Sequence, residues 1–345
     1  MPSDFAVSDA GAVLERSTTE AVATEARAGL TARPRTLSPW LFYDETGSRL
    51  FEQITKLPEY YLTRTERSIF SAHADEIIER AARLNGNRLP PTLTLIELGA
   101  GTATKTGILL AAAVRRQGSV VYQPVDVSVT ALEAATRNIR GSIPGVTVRS
   151  QVADYTTQPL PENRLPDTRT LALYIGSSIG NFTPTEAAGL LRNLRAQLLP
   201  GDQLLLGTDL APGPHKKVST VVAAYNDAAG VTGEFNRNVL ARLNRELDAN
   251  FNSEAFAHRA IWNAGESRIE MHLVSLASQR VHIPANSAGG SLTLNFTAGE
   301  IIHTENSYKF SLARVEELLM SAAFRVTHTW LDAHHYFAVS LATAI

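Results

Sequence analysis

Between residues 94 and 208 the chain alternates short β-branched or leucine-rich runs with longer amphipathic stretches. The runs are Thr94 to Leu98, Val120 to Val127, Val146 to Val152, Leu171 to Ile175 and Gln203 to Thr208; the stretches between include Lys105 to Arg116 and Thr130 to Arg140. Apolar strands joined through helices specify a parallel sheet covered on both faces. The pattern changes after Asp209. LAPGPHKK (210–217) is punctuated by proline and glycine, Val218 to Leu247 reads as helix, and ESRIEMHLVSL (266–276) and SLTLNF (291–296) alternate as antiparallel strands do. Leu312 to Ala323 reads as a helix, followed by a terminal strand pair in FRVTHTWLD (324–332) and HYFAVSLAT (335–343). The expected fold class is α/β, a doubly wound sheet interrupted by an insertion that builds a second, smaller α+β domain with the N-terminal region. Residues 1–64 and 214–310 are expected to form the smaller domain, and 65–213 with 311–345 the larger.

At 345 residues and 44% hydrophobic content the chain has enough apolar material for a large core. Its 32 basic and 34 acidic residues are well mixed, leaving a formal charge of -2 and no electrostatic footprint for nucleic acid or an anionic membrane. A small-molecule ligand is expected instead. The absence of cysteine excludes disulfides, thiolate zinc sites and a cysteine nucleophile. MPSDFAVSDAGAVLERSTTEAV (1–22) lacks a basic segment followed by an apolar core, and no run reaches membrane-span length, so a cytoplasmic monomer is expected.

The candidate chemistry begins at TLIELGAGTATKT (94–106), where a strand ends in Glu97 and then in Gly99 and Gly101. A dinucleotide fingerprint needs a third glycine for close helix–strand packing, and Thr104 stands in its place. Lys105 follows Gly99 too soon for a phosphate-binding P-loop. Asp126, after the next strand, is spaced to accept two ribose hydroxyls, and Asp154 ends the third strand beside Tyr155, an aromatic suited to an adenine face. Each feature alone has an ordinary structural reading: a tight connection at the glycines, a helix cap at Asp126. The ordered set favours an adenosine ligand. S-adenosylmethionine is preferred to NAD because it carries no pyrophosphate, while its carboxylate suits a cation such as Lys105.

Longer blocks carry a resemblance. LFYDETGSRLFEQITKLPEYYLTRTE (41–66), IELGAGTATKT, GSSIGNFTP (176–184), GDQLLLGTDL (201–210), AYNDAAGVTGEFNRNVLARLNREL (224–247), RIEMHL (268–273) and HTENSYKFS (303–311) together resemble the histidine-specific Nα-methyltransferases of ergothioneine biosynthesis, from about residue 25 onward. The resemblance implies a Rossmann-like methyltransferase sheet and transfer of three methyl groups from S-adenosylmethionine to the α-amine of L-histidine, giving hercynine. It implies that Gly99, Lys105, Asp126, Asp154 and Tyr155 hold the cofactor, joined by Glu97 and Gly101 from the glycine turn. It further implies that Tyr43, Gly176, Asn181 and Tyr225 hold the amino-acid end, that Tyr60, Glu305 and Ser307 address the imidazole, and that Met271 lines the pocket. Tyr43 and Asn181 are the expected catalytic pair. The chain departs from the family pattern at Val125, where phenylalanine is usual, and at Leu62, where proline is common.

These residue types suit the reaction. Methyl transfer from a sulfonium is an in-line displacement with an activated leaving group, so the protein's task is alignment. The neighbouring cation disfavours the ammonium form of the acceptor, and proton loss to water removes the need for a general base. Glu305 and Ser307, two apart on a strand, share a face and can grip both ring nitrogens. Another acceptor such as tryptophan, or a non-catalytic adenosine-binding protein, are the alternatives; the latter predicts loss of Asn181, Tyr225 or Glu305, all of which are present. The adjacent His334 and His335 face opposite ways on a strand with no completing carboxylates, so no metal is expected.

Overall fold

The computed structural model describes residues 6–83, 92–101, 103–156, 158–160, 168–286 and 288–345; Thr102 of the glycine turn and the first five residues of the leader reading lie outside them. The chain divides into two compact units, Met1–Tyr60 with Ser219–Asn306 and Tyr61–Val218 with Ser307–Ile345.

Numbered along the chain, the smaller unit opens with α1 (Ala6–Thr31), β1 (Arg35–Thr36) and α2 (Glu45–Ile54). Asp44 caps α2 by accepting from Gly47 N at 2.6 Å. A Cβ on Gly47 would fall 1.7 Å from the Phe42 carbonyl oxygen, so the backbone approach demands glycine.

The larger unit follows with α3 (Tyr61–Ala82), β2 (Thr92–Leu98), α4 (Thr106–Gln117), β3 (Val120–Asp126), α5 (Val129–Ser142), β4 (Val146–Val148), β5 (Gln151–Val152), β6 (Thr168–Tyr174), α6 (Pro184–Ala196) and β7 (Gln203–Asp209). The smaller unit resumes in α8 (Val231–Leu247), after α7 (Val218–Ala223), and continues through β8 (Phe256–Asn263), β9 (Arg268–Ser275), β10 (Gln279–Ile283), β11 (Leu292–Phe296) and β12 (Ile301–Tyr308). The larger unit then closes with α9 (Leu312–Ser321), β13 (Phe324–Leu331) and β14 (Phe337–Ala344).

Its sheet runs β13-β14-β7-β6-β2-β3-β4, with β5 also paired to β3. The strands from β7 across to β4 are parallel, and β14 joins β7 and β13 antiparallel. All seven positions of β7 are buried, as expected of a strand covered on both faces. Leu190, Leu191 and Leu194 of α6 and Leu318 and Leu319 of α9 pack with strand residues such as Leu204 and Leu206 in one core. The α/β sheet read from the hydrophobic pattern is therefore present, with its terminal antiparallel pair.

Two local readings need correction. The run Val146 to Val152 is two short strands, β4 and β5, which pair with β3 in the same register on either side of a lapse at Arg149 and Ser150. The helix read from Val218 to Leu247 is broken: Gly230 adopts a left-handed φ of 78°, and the Asp227 carboxylate accepts from Val231 N and Thr232 N, starting α8 afresh. NDAAG (226–230) held that signal in its Asp and Gly.

In the smaller unit the sheet order is β1-β12-β9-β8, and β10 with β11 makes a separate antiparallel ribbon. Helix α8 packs on β8 and β9 through a buried face that includes Phe235, Val239 and Leu243. Among the described residues no helix is long and apolar enough to cross a membrane.

Candidate active site

The strand end of β2 presents the glycine turn. Gly99 and Gly101 adopt φ of +70° and +51°, and a Cβ on Gly99 would meet the Tyr155 hydroxyl at 3.4 Å. Gly101 N donates to Asp126 Oδ2 at 3.1 Å and Ser128 N to Asp126 Oδ1 at 2.9 Å, so the carboxylate ties the turn to the end of β3. Burial pushes its pKa up. Ser128, not Asp126, caps α5, its side chain accepting from Ala131 N. Tyr155 lies edge-on to Tyr174 with ring centroids 5.8 Å apart, and burial pushes its phenol up to about 12. Asp154 accepts from Thr156 N at 2.9 Å and Thr156 Oγ1 at 2.6 Å.

Glu97 is buried, with Thr106 Oγ1 donating to Oε1 at 2.7 Å and the Tyr122 hydroxyl donating to Oε2. Burial raises it to about 7. Lys105 sits at the start of α4 and pairs with Glu66 of α3, whose carboxylate also accepts from Gly176 N at 2.8 Å. Glu66 therefore bridges two candidate residues that sequence reasoning treated separately. A Cβ on Gly207 of β7 would lie 2.1 Å from Glu66 Oε1, which accounts for glycine there.

Asn181 ends a short 3₁₀ turn, Ser178–Asn181, reached through left-handed residues at Gly176 (φ +80°) and Ser177 (φ 62°). Ser177 Oγ accepts from Asp209 N at 2.9 Å, and Gly180 passes so close to β12 that a Cβ would be 2.7 Å from Tyr308 O. Beside this turn is a buried ionic network. Asp209 receives Lys216 Nζ at 2.6 Å, Lys309 Nζ at 2.7 Å and the Tyr61 hydroxyl at 2.9 Å. Lys309 also donates to Ser307 Oγ at 2.9 Å, so one candidate imidazole contact hangs on that network. Burial pushes the Asp209 carboxyl up, but the two ammoniums outweigh it and hold it below the usual range. Sequence reasoning missed Tyr61, Asp209 and Lys216; the signal was only that polar residues interrupt apolar stretches.

In the smaller unit, Tyr43, Tyr60 and Tyr225 fall in one aromatic cluster. Phe51 lies edge-on to Tyr43 at 5.7 Å and to Tyr60 at 6.1 Å, and Tyr60 meets Tyr225 at 6.4 Å. Tyr60 and Tyr225 are buried, whereas Tyr43 is 37% exposed. His258 Nε2 is 2.8 Å from Tyr225 O, and its Nδ1 lies 2.9 Å from Asn236 Nδ2. The amide can only donate and the carbonyl only accept, which assigns the Nε2–H tautomer and fixes the Tyr225 backbone. Met271 on β9 and Glu305 on β12 are both buried. Thr304 Oγ1 donates to Met271 O at 3.1 Å, fastening those adjacent strands.

Of the candidate residues, Glu97, Gly99, Gly101, Lys105, Asp126, Asp154, Tyr155, Gly176, Asn181 and Ser307 belong to the larger unit. Tyr43, Tyr60, Tyr225, Met271 and Glu305 belong to the smaller. His334 and His335 lie in the turn before β14 rather than on a strand as expected, and the His335 ring is tilted against His215 with centroids 5.0 Å apart.

A family model described as histidine-specific methyltransferase, SAM-dependent, matches residues 22–344. The chain is 43% identical over 327 residues to histidine N-alpha-methyltransferase from Mycolicibacterium smegmatis, spanning 94% of this chain and 96% of that protein. It is 42% identical over 317 residues to the protein of the same name from Mycobacterium tuberculosis, spanning 91% and 92%. Ergothioneine biosynthesis protein 1 of Neurospora crassa is 34% identical over 215 residues, which is 61% of this chain and 23% of that protein.

Proposed function

Because this chain belongs to the histidine-specific, S-adenosylmethionine-dependent methyltransferase family, we propose that it methylates the α-amine of L-histidine three times, giving hercynine for ergothioneine biosynthesis. The observation that carries the reading is the near full-length similarity to two histidine N-alpha-methyltransferases, joined to an intact set of candidate contacts.

The glycine turn suits a nucleoside: Gly101 leaves open space beside the end of β2, Gly99 lies against Tyr155, and Asp126 keeps lone pairs beside Gly101. S-adenosylmethionine supplies an activated methyl group. In this reading Gly99 and Gly101 admit the ligand's backbone approach, Asp126 accepts the ribose hydroxyls, and Asp154 and Tyr155 flank the adenine. Lys105, steered by Glu66, faces the carboxylate. Glu97 has both oxygens engaged by Thr106 and Tyr122, so its part is to brace the turn rather than to touch the cofactor.

Tyr43 and Asn181 orient the free amine, while Gly176 and Tyr225 hold the amino-acid end and Tyr60, Met271, Glu305 and Ser307 receive the side chain. The amine lone pair forms the new C–N bond as the C–S pair returns to sulfur, and the displaced ammonium proton leaves to water before the next round. Alignment carries the rate. Glu305 and Ser307 give selectivity, because a ligand that leaves buried polar groups unpaired is rejected.

The test is mass spectrometry of the purified protein incubated with S-adenosylmethionine and the twenty amino acids in equal amounts. Histidine gaining three methyl groups is the expected product. Methylation of a different amino acid overturns the roles of Tyr60, Glu305 and Ser307, and no methylation overturns the enzyme reading.

A further inference from the structure

Among residues given no part in methyl transfer, β9 and β12 bring three potential metal ligands together. Glu270 and His272 are two apart on β9 and share a face, and His303 stands on the neighbouring strand β12. The His272 and His303 rings lie 5.2 Å apart, and one ligand atom from each of the three residues falls within 4.8 Å of the others.

The polar atoms that converge there lack protein partners. His272 is buried, its Nδ1 is unpartnered, and its Nε2 stops 3.6 Å from Glu270 Oε2. His303 Nε2 is likewise buried and unpartnered. Buried ring nitrogens left unpaired are costly, so two such imidazoles clustered with a carboxylate call for a ligand.

The surroundings are built as a metal's supporting groups are. Asn263 Nδ2 at 2.8 Å and Arg268 Nε and Nη2 at 2.9 and 2.7 Å all donate to Glu270 Oε1, which turns Oε2 toward His272. On β12, His303 Nε2 is the buried atom left available. Such outer contacts fix the orientation of ligating imidazoles and carboxylates.

We propose that Glu270, His272 and His303 form a binding site for a divalent transition-metal ion, zinc foremost, with the remaining coordination position taken by water. Two imidazoles and one carboxylate are a familiar zinc donor set, and tetrahedral zinc asks for ligand atoms about 3.3–3.5 Å apart, within reach of small side-chain rotations from the observed spacing. The cationic neighbours Arg268 and Arg259, the latter opposite His272 on β8, disfavour ions held by charge alone. Strong nitrogen binders are therefore selected over calcium and magnesium. A bound ion would clamp β9 to β12 beside Met271 and Glu305. The inference rests on ligand geometry and stands or falls apart from methyl transfer.

The experiment is a zinc titration of the tag-free, full-length, chelator-treated protein, by calorimetry and by competition with a chromophoric chelator. One zinc ion per chain is expected, with a rise in melting temperature. His303→Ala and, as a milder change, Glu270→Gln should each weaken binding by at least about tenfold, the scale on which single groups of a metal site act. The double variant His334→Ala/His335→Ala controls for surface histidines and should bind as wild type does. No one-to-one binding, or affinity within tenfold of wild type in both ligand variants, overturns the site.

Discussion

Asp209→Asn tests the buried ionic network most directly. The substitution keeps the side-chain volume but removes the charge that Lys216 and Lys309 share, and all three residues are at most 2% exposed. An amide can accept from Tyr61 and one lysine, yet its NH2 then opposes the other ammonium. Leaving buried charge uncompensated costs about 3–5 kcal/mol. For a unit of this size each kcal/mol moves the melting temperature by about 2–4 °C, so a fall of roughly 6–20 °C is expected in scanning calorimetry at pH 7. The pH dependence supplies a second readout. In the variant the Lys216 ammonium, which burial already lowers, loses the carboxylate that supports it, so the unfolded state binds more protons and stability rises with pH. The deficit relative to wild type should therefore shrink between pH 7 and pH 10. In the wild type the Asp209 carboxyl lies below its usual value of 3.8, so its contribution is lost only as pH falls through that depressed range. A melting temperature within 2 °C of wild type, or a deficit that grows with pH, would refute the reasoning.

Asp126→Ala should weaken S-adenosylmethionine binding by about 10- to 100-fold, the equivalent of about 1.5–3 kcal/mol for a hydrogen bond to a charged group, as read by calorimetry; unchanged affinity removes the ribose role. Glu305→Ala should raise the histidine requirement far more than the cofactor requirement in steady-state kinetics, and equal loss of both sinks the imidazole assignment. Glu97→Gln should flatten a slope in the stability profile. Burial raises Glu97 from 4.5 to about 7, so between those values the folded chain holds a proton the unfolded chain has released, and wild-type stability falls as pH rises. Denaturant titrations at pH 5 and pH 7.5 that give both proteins the same difference would contradict this.

The fold was legible where one signal dominated. The apolar runs that became β2, β3, β6 and β7 are buried on both faces, so their character survives in the sequence without alternation. Pattern was less exact within a run: Val146 to Val152 reads as one strand, yet its pairing with β3 lapses at Arg149 and Ser150. The glycine turn was readable because backbone conformation restricts residue type at Gly99 and Gly101. Glu66, Asp209 and Lys216 were not, because a buried ion pair joins positions far apart in sequence and leaves no local periodicity. The Glu270–His272–His303 group was hidden for the same reason; only the i, i+2 half of it lies on one strand.

The placement of β14 between β7 and β13 has a bearing on how the protein is made. On the ribosome β7 emerges well before its antiparallel neighbour Phe337–Ala344, with the whole inserted segment Ser219–Asn306 translated in between. Until then β7 offers an open hydrogen-bonding flank of apolar sequence, a surface prone to mispairing. The smaller unit can gather its own sheet while the larger waits for its last strand. Chaperone demand should accordingly peak late in synthesis, and chains stalled before Phe337 should aggregate rather than accumulate as a folded larger unit.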